Sequence, residues 1–200
     1  MKIGPKYKIA RRLRSPVFEK TQTQKYSLRE ERKSRRASFK PKTDYGIQLN
    51  EKQKARMFYA VAEKQFAKYV KEALAKKTGS PSSNLLRSLE RRLDNVAWRA
   101  GISKTHLGAR QAVSHGHLLV NGKKVYVPSY SVKNGDKISI REGSRNSKLF
   151  SELDAKIAEN KLPNWLTWNT KSKEISVSAE GEETPDLLFD LEQVIEYYQR

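Results

Sequence analysis

Between Leu85 and Ile140 the apolar residues change period, and that change limits the folds open to this 200-residue chain. Leu85, Leu86, Leu89, Leu93, Val96, Ala97 and Ala100 recur at three- and four-residue intervals, one face of an amphipathic helix, and Gly101 stands where a left-handed residue closes it. Ser103 is placed to cap a shorter helix reaching about Ser114, with Leu107 and Val113 inward, and Gly116 ends it. The pattern then switches. His117-Leu-Leu-Val120, Asn121-Gly122 and Lys123-Lys-Val-Tyr-Val127 spell a hairpin, because Asn-Gly suits a two-residue turn whose central residues both need positive φ. Asn134-Gly135-Asp136 turns the chain into a strand carrying Ile138 and Ile140. Residues 84–143 are therefore expected to form two helices followed by a small antiparallel sheet.

The polar residues of this module are mostly cations: Arg87, Arg91, Arg92, Arg99, Lys104, Arg110, Lys123 and Lys124, with Gln111, His115 and His117 among them. Arg91 and Arg92 fall on the helix flank away from the leucines, and Arg110 lies one turn before Ser114, so their guanidinium groups can converge on one side. Arg supplies forked donors for phosphate, while Asn95, Ser114 and Asn121 add neutral hydrogen bonds. Asp94 reads as a partner that holds a neighbouring Arg rather than as a general base. His115 and His117 lack a third ligand nearby and stand among cations, so they read as groups that stack on a base or donate to phosphate, and no metal is expected.

Charge is laid out unevenly along the chain, which carries +19 overall. Residues 1–42 carry +12, residues 43–173 carry +14, and residues 174–200 carry −7. A compact body with such a surplus calls for a polyanionic partner. There is no cysteine, which excludes disulfides, thiolate metal sites and a cysteine nucleophile. No apolar run approaches the roughly 20 residues that span a bilayer, and no secretory signal is evident.

The flanks fit around the module. Residues 1–42 are expected as a basic arm, extended or only locally helical until phosphates neutralise it, with Tyr7, Phe18, Tyr26 and Phe39 available to stack on bases or anchor it. Asn50 with Gln53 suggests the start of a helix over about 51–77, with Phe58, Ala62, Phe66, Tyr69 and Ala73 inward and Lys52, Lys54 and Arg56 outward. Leu149, Leu153 and Ile157 suggest a helix over 147–160. Trp165, Leu166 and Trp168 suggest a strand paired with 174–178. Pro185 and Asp186 open a final helix, expected to pack on the helix at 51–77 with its acids meeting that helix's lysines. The fold class is α+β: a basic arm (1–42), a helical domain (43–83 with 185–200), and an inserted basic domain of two helices and an antiparallel sheet (84–184) with its core at 84–143.

Glu90-Arg-Arg-Leu-Asp-Asn-Val96, Ala109-Arg-Gln-Ala-Val-Ser-His-Gly116, Val120-Asn-Gly122 and Val132-Lys-Asn-Gly-Asp136 resemble the S-four RNA-binding domain. Gly4-Pro-Lys6, Asp44-Tyr-Gly-Ile-Gln-Leu-Asn-Glu-Lys-Gln-Lys54, Pro163-Asn-Trp-Leu166 and Leu191-Glu-Gln-Val-Ile-Glu-Tyr-Tyr198 extend the resemblance to the small-subunit ribosomal protein S-four family, bacterial or organellar type. The resemblance implies a primary binder of the 5′ domain of 16S rRNA that nucleates assembly, contributes to decoding accuracy, and meets ribosomal protein S-five and mRNA near its entry side. It also implies a cytoplasmic ribosome, with an organellar one as the second reading, and in some bacteria repression of the protein's own operon. Ser34-Arg-Arg-Ala-Ser-Phe39 stands where many members place zinc-binding cysteines, so no cofactor is expected. The candidate RNA contacts are Arg11, Arg12, Arg14, Lys40, Lys42, Tyr45, Lys52, Lys54, Arg56, Arg87, Arg91, Arg92, Asn95, Lys104, Arg110, Gln111, Ser114, His115, His117, Asn121 and Lys123. The competing functions are an RNA-modifying enzyme that uses this module for targeting and a translational repressor. The first needs a reactive pocket elsewhere, for which the rest of the sequence offers no histidine, no cysteine, no phosphate-cradling glycine loop and no paired-carboxylate motif, so the protein is read as no enzyme.

Overall fold

The computed structural model describes residues 3–34, 43–145, 147, 149–150, 153, 157, 162–170, 172–178 and 187–200. The chain divides into two compact units, Met1–Arg87 with Asp186–Arg200, and Ser88–Pro185. The class is α+β.

In the first unit, helices α1 (Lys6–Leu13) and α2 (Gln24–Ser34) occupy the stretch expected to be extended or only locally helical. The charge density concealed a small core. Ala10 and Leu13, on one face of α1, bury against Val17, Phe18 and Met57, with Tyr26 packed at the edge. Arg14, in the left-handed region, closes α1, and Arg11 Nε meets Glu30 Oε1 across to α2 at 3.1 Å.

The helix expected over 51–77 is two helices, α3 (Asp44–Phe58) and α4 (Glu63–Ala75). Thr43, not Asn50, caps α3, accepting from the Gly46 N–H at 3.2 Å, while Asn50 Nδ2 donates to the Leu13 carbonyl. The break follows from Ala60, whose φ of +51° lets the Val61 N–H reach back to the Arg56 carbonyl at 3.1 Å, the closing bond of a Schellman cap. Alanine in a position that glycine usually fills leaves no sequence signal. The C-terminal helix (Leu191–Gln199) packs on α3, and Asp190 caps it through Oδ1, which accepts from the Glu192 N–H. Its expected opening at Pro185 and Asp186 lies outside the described residues. Where acids were expected to meet lysines, Glu196 accepts from Gln48 Nε2 at 2.8 Å, and Phe189 packs on Phe58 with ring centres 5.6 Å apart.

The helix expected from Leu85 to Ala100 is also broken, into α5 (Pro81–Glu90) and α6 (Leu93–Arg99). The amides that open α6 are taken by a loop rather than by the preceding turn: Leu93 N–H donates to Tyr130 O at 2.9 Å and Asp94 N–H to Pro128 O at 3.2 Å, while Arg91 O accepts from Val132 N–H. Helix α7 (His106–Ser114) is capped by Thr105, which accepts from Gly108 N–H at 3.0 Å, and the expected cap Ser103 instead donates to the Thr105 carbonyl. Gly116, with φ +67°, ends it.

Strands β1 (Leu118–Val120), β2 (Lys123–Lys124), β3 (Lys137–Ile140), β4 (Leu166–Asn169) and β5 (Glu174–Val177) form one sheet in the order β2-β1-β3-β5-β4 with antiparallel neighbours, and α8 (Glu142–Arg145) follows β3. Asn121 and Gly122, at φ +50° and +76°, make the hairpin turn that the sequence calls for. The buried face of the sheet, with Leu118, Ile138 and Ile175, packs with Leu93, Val96 and Val113 of the helices and with Phe150, Leu153 and Ile157. Leu153 and Ile157 are helical, and most of the helix expected over 147–160 lies outside the described residues. Among the described residues no helix is long and apolar enough to cross a membrane.

Candidate nucleic-acid interface

The end of α7 and the β1–β2 hairpin bring one set of cations together. Gln111, Ser114 and His115 are exposed along the last turn of α7, with Ser114 Oγ donating to the Arg110 carbonyl at 2.9 Å, and Lys123 and Lys124 are exposed on β2. His117 enters β1 beside His115, their ring centres 5.9 Å apart, with its Nδ1 2.9 Å from Ser144 Oγ and Phe150 edge-on to the ring. Burial first, then the charges of His115, Arg141 and Lys124, push the His117 pKa down. A histidine set beside Arg141, Lys124 and a second imidazole marks a concentrated positive potential, which suits a phosphate. Lys104 is exposed in the loop before α7, and Arg110 is half-buried. Tyr126 and Arg141 also belong to this face and were missed from the sequence. Tyr126 could have been found by its two-residue alternation with Lys124 on an extended strand.

Several polar residues of the module are buried or engaged within the fold instead. Arg92 is 2% exposed, and its Nε and Nη2 bind the Asp94 carboxylate at 2.9 and 2.5 Å. It sits at the α5–α6 break, not on an exposed flank, although the expected pairing of Asp94 with an arginine is present. Asn95 is buried, donating to the Glu90 carbonyl and side chain at 3.1 and 2.8 Å, with Oδ1 3.2 Å from His106 Nε2. Arg99 is forked onto Glu90 at 2.8 and 3.0 Å and lies over Trp98, which stacks on His106. Asn121 spends its side chain on the hairpin, donating to Asp136 and accepting from the Lys137 N–H. Arg91, half-buried, donates to Asn134 Oδ1 at 2.9 Å.

In the first unit Arg12 and Arg14 are exposed on α1 and at its end, and Arg87 is exposed on α5. Lys40 and Lys42 lie outside the described residues. The three cations expected to face outward from α3 are engaged within the fold. Lys52 is buried, 3.0 Å from Glu63 and 4.4 Å from the centre of the Tyr197 ring. Lys54 pairs with Glu51 at 2.6 Å, and Arg56 donates to Gln53 and lies 3.5 Å from Glu63. Glu63 is itself buried enough to raise its pKa, but hydrogen bonds from Lys52 and Tyr198 and the charges of Lys52 and Arg56 win and lower it. Tyr45 is exposed, with its ring 5.6 Å from Tyr197.

The arrangement can hold an extended polyanion through the α7–hairpin face, while its ion pairs brace the helix junctions. Among the described residues no group of His, Cys, Asp and Glu is placed to hold a metal ion. Residues 1–90 match the family described as Ribosomal protein S4/S9 N-terminal domain, and residues 91–138 match the S4 domain. The chain is similar to the small ribosomal subunit protein uS4 of Chlorobaculum parvum, 40% identical over 198 residues that make up 96% of each chain. It is also similar to that of Amoebophilus asiaticus, 40% identical over 203 residues, covering 99% of this chain and 98% of the relative. The uS4A protein of Alkaliphilus oremlandii is 46% identical over 164 residues, covering 82% of this chain and 78% of the relative. With relatives of that similarity along nearly its whole length, the chain belongs to the small ribosomal subunit protein uS4 family.

Proposed function

We propose that this protein is a structural, non-enzymatic component of the small ribosomal subunit that binds rRNA through the α7–hairpin face. The observation that carries the reading is the grouping of His115 and His117, ring centres 5.9 Å apart, with the exposed Lys123 and Lys124 of the adjoining hairpin, in a chain of charge +19. RNA helices present phosphates and 2′-hydroxyls more readily than base edges, so a rigid cationic face selects an RNA by shape. The finer assignment is to the 5′ domain of 16S rRNA, where the protein nucleates assembly. Ribosomal protein S-five and mRNA near its entry side are neighbours, decoding accuracy depends on the first of these contacts, and the ribosome is cytoplasmic. The catalytic alternative draws no support from the two ion pairs at the α5–α6 junction, because Arg92 with Asp94 and Arg99 with Glu90 satisfy one another. Hydroxyl-radical footprinting of full-length protein on naked 16S rRNA tests the assignment. Protections clustered in the 5′ domain are expected, and protections scattered over the molecule, or none, would contradict it.

A further inference from the structure

The hairpin face carries an aromatic side chain that phosphate binding alone does not use. Beyond β2 the ladder continues through the Val125 N–H to the Leu118 carbonyl at 3.3 Å, so Lys124 and Tyr126 project on one face while Val125 packs toward the core. Tyr126 is 54% exposed, and Lys124 Nζ lies 4.7 Å from the centre of its ring. The ring is seated by a missing side chain. A Cβ on Gly116 would fall 2.6 Å from Tyr126 Cε1 and 2.6 Å from Lys124 Cε, so only glycine lets both lie against the end of α7. His115 and His117 lie at the same end of α7 with ring centres 5.9 Å apart, and the Arg141 N–H donates to the His117 carbonyl at 2.8 Å.

A fixed aromatic ring beside clustered cations is what a single-stranded nucleotide uses, because its base offers a stacking face and its backbone a phosphate. A duplex keeps its base faces covered and has no use for the ring. We propose that Tyr126 seats one unpaired nucleotide of the bound rRNA, the base stacking on the exposed ring and the adjoining phosphate facing Lys124 and His115. The proposal rests on the rRNA-binding reading and deepens it, by assigning an unpaired nucleotide rather than a paired segment to this part of the face. Tyr126 and Val127, both 54% exposed, would serve a protein neighbour instead if the proposal fails.

The test uses full-length protein and a naked 16S rRNA transcript. Wild type, Tyr126→Phe and Tyr126→Ser are compared by filter binding, and wild type is also photocross-linked to a transcript carrying 4-thiouridine. The expected results are a cross-link at Tyr126, Tyr126→Phe within about twofold of wild type, and Tyr126→Ser weaker by about fivefold or more with an unchanged salt slope, the scale of one lost base–aromatic stack. Absence of that cross-link, or Tyr126→Ser binding like a wild type that itself binds tightly, overturns the proposal and leaves rRNA binding intact. A wild type that does not bind the transcript overturns both readings together.

Discussion

Replacing Arg92 by alanine separates a structural arginine from an RNA contact. Arg92 and Asp94 are 2% and 5% exposed, and the guanidinium holds the carboxylate through two hydrogen bonds. Truncating one partner of a buried pair strands the other, at a cost of about 3–5 kcal/mol. With a urea m-value of about 2 kcal/mol per molar, the midpoint should fall by about 2 M. All three tryptophans, Trp98, Trp165 and Trp168, lie within the Ser88–Pro185 unit, so their fluorescence follows the unit in which the pair sits. The double variant Arg92→Met with Asp94→Leu should recover most of the loss, because no charge is then left buried. Affinity for 16S rRNA, measured where the variant is still folded, should change little. An unmoved urea midpoint with a collapse of RNA affinity would refute the reasoning and return Arg92 to the RNA-binding surface.

Other perturbations divide along the same line. Leu93→Ala, at a fully buried position, should cost about 2–5 kcal/mol by the same fluorescence assay and leave the RNA affinity of the folded protein unchanged. Glu63 has a lowered pKa in the fold, so its contribution is complete above the unfolded carboxylate pKa of about 4.3 and is lost as pH falls below it. Glu63→Gln should therefore flatten the acid limb of stability measured by circular dichroism, and an unchanged limb would count against the Lys52–Glu63–Tyr198 cluster. His117 is also depressed, so its contribution is complete above about pH 6.5 and declines as the pH falls, when the unfolded chain takes up the proton first. Its ring should titrate below pH 6.5 by NMR in the free protein and move upward when RNA phosphate binds. Titration at or above 6.5 in the free protein would contradict the clustered cations.

The elements legible in the sequence are those with strong local chemistry. Asn121-Gly122 had one comfortable conformation, Gly116 a left-handed stop, and the alternation at Leu166 and Trp168 a strand. The two helix breaks were not legible, because each depends on distant partners. Ala60 adopts positive φ within a buried aromatic cluster, and Leu93 and Asp94 find acceptors at Tyr130 and Pro128, more than thirty residues on. Those breaks also account for the misplaced site residues. Helical periodicity continued through residue 92 puts Arg92 on an outer flank, whereas a chain that turns there carries it inward to Asp94. The basic head misled differently, since its charge outweighed four apolar residues, Ala10, Leu13, Val17 and Phe18, that were enough with Met57 to build a core. On α7 and the hairpin, where the turn signals were strong, His115 and Lys123 are exposed and His117 is half-buried beside His115.

The salt dependence of rRNA affinity tests the central claim most directly. Full-length protein is titrated with the 16S transcript over a series of potassium chloride concentrations at fixed pH. Each phosphate neutralised contributes about −0.7 to −0.9 to the slope of log affinity against log salt. A face that engages several phosphates at once predicts a slope of about −4 or steeper, and a slope no steeper than about −1.5, equivalent to one or two contacts, would contradict it.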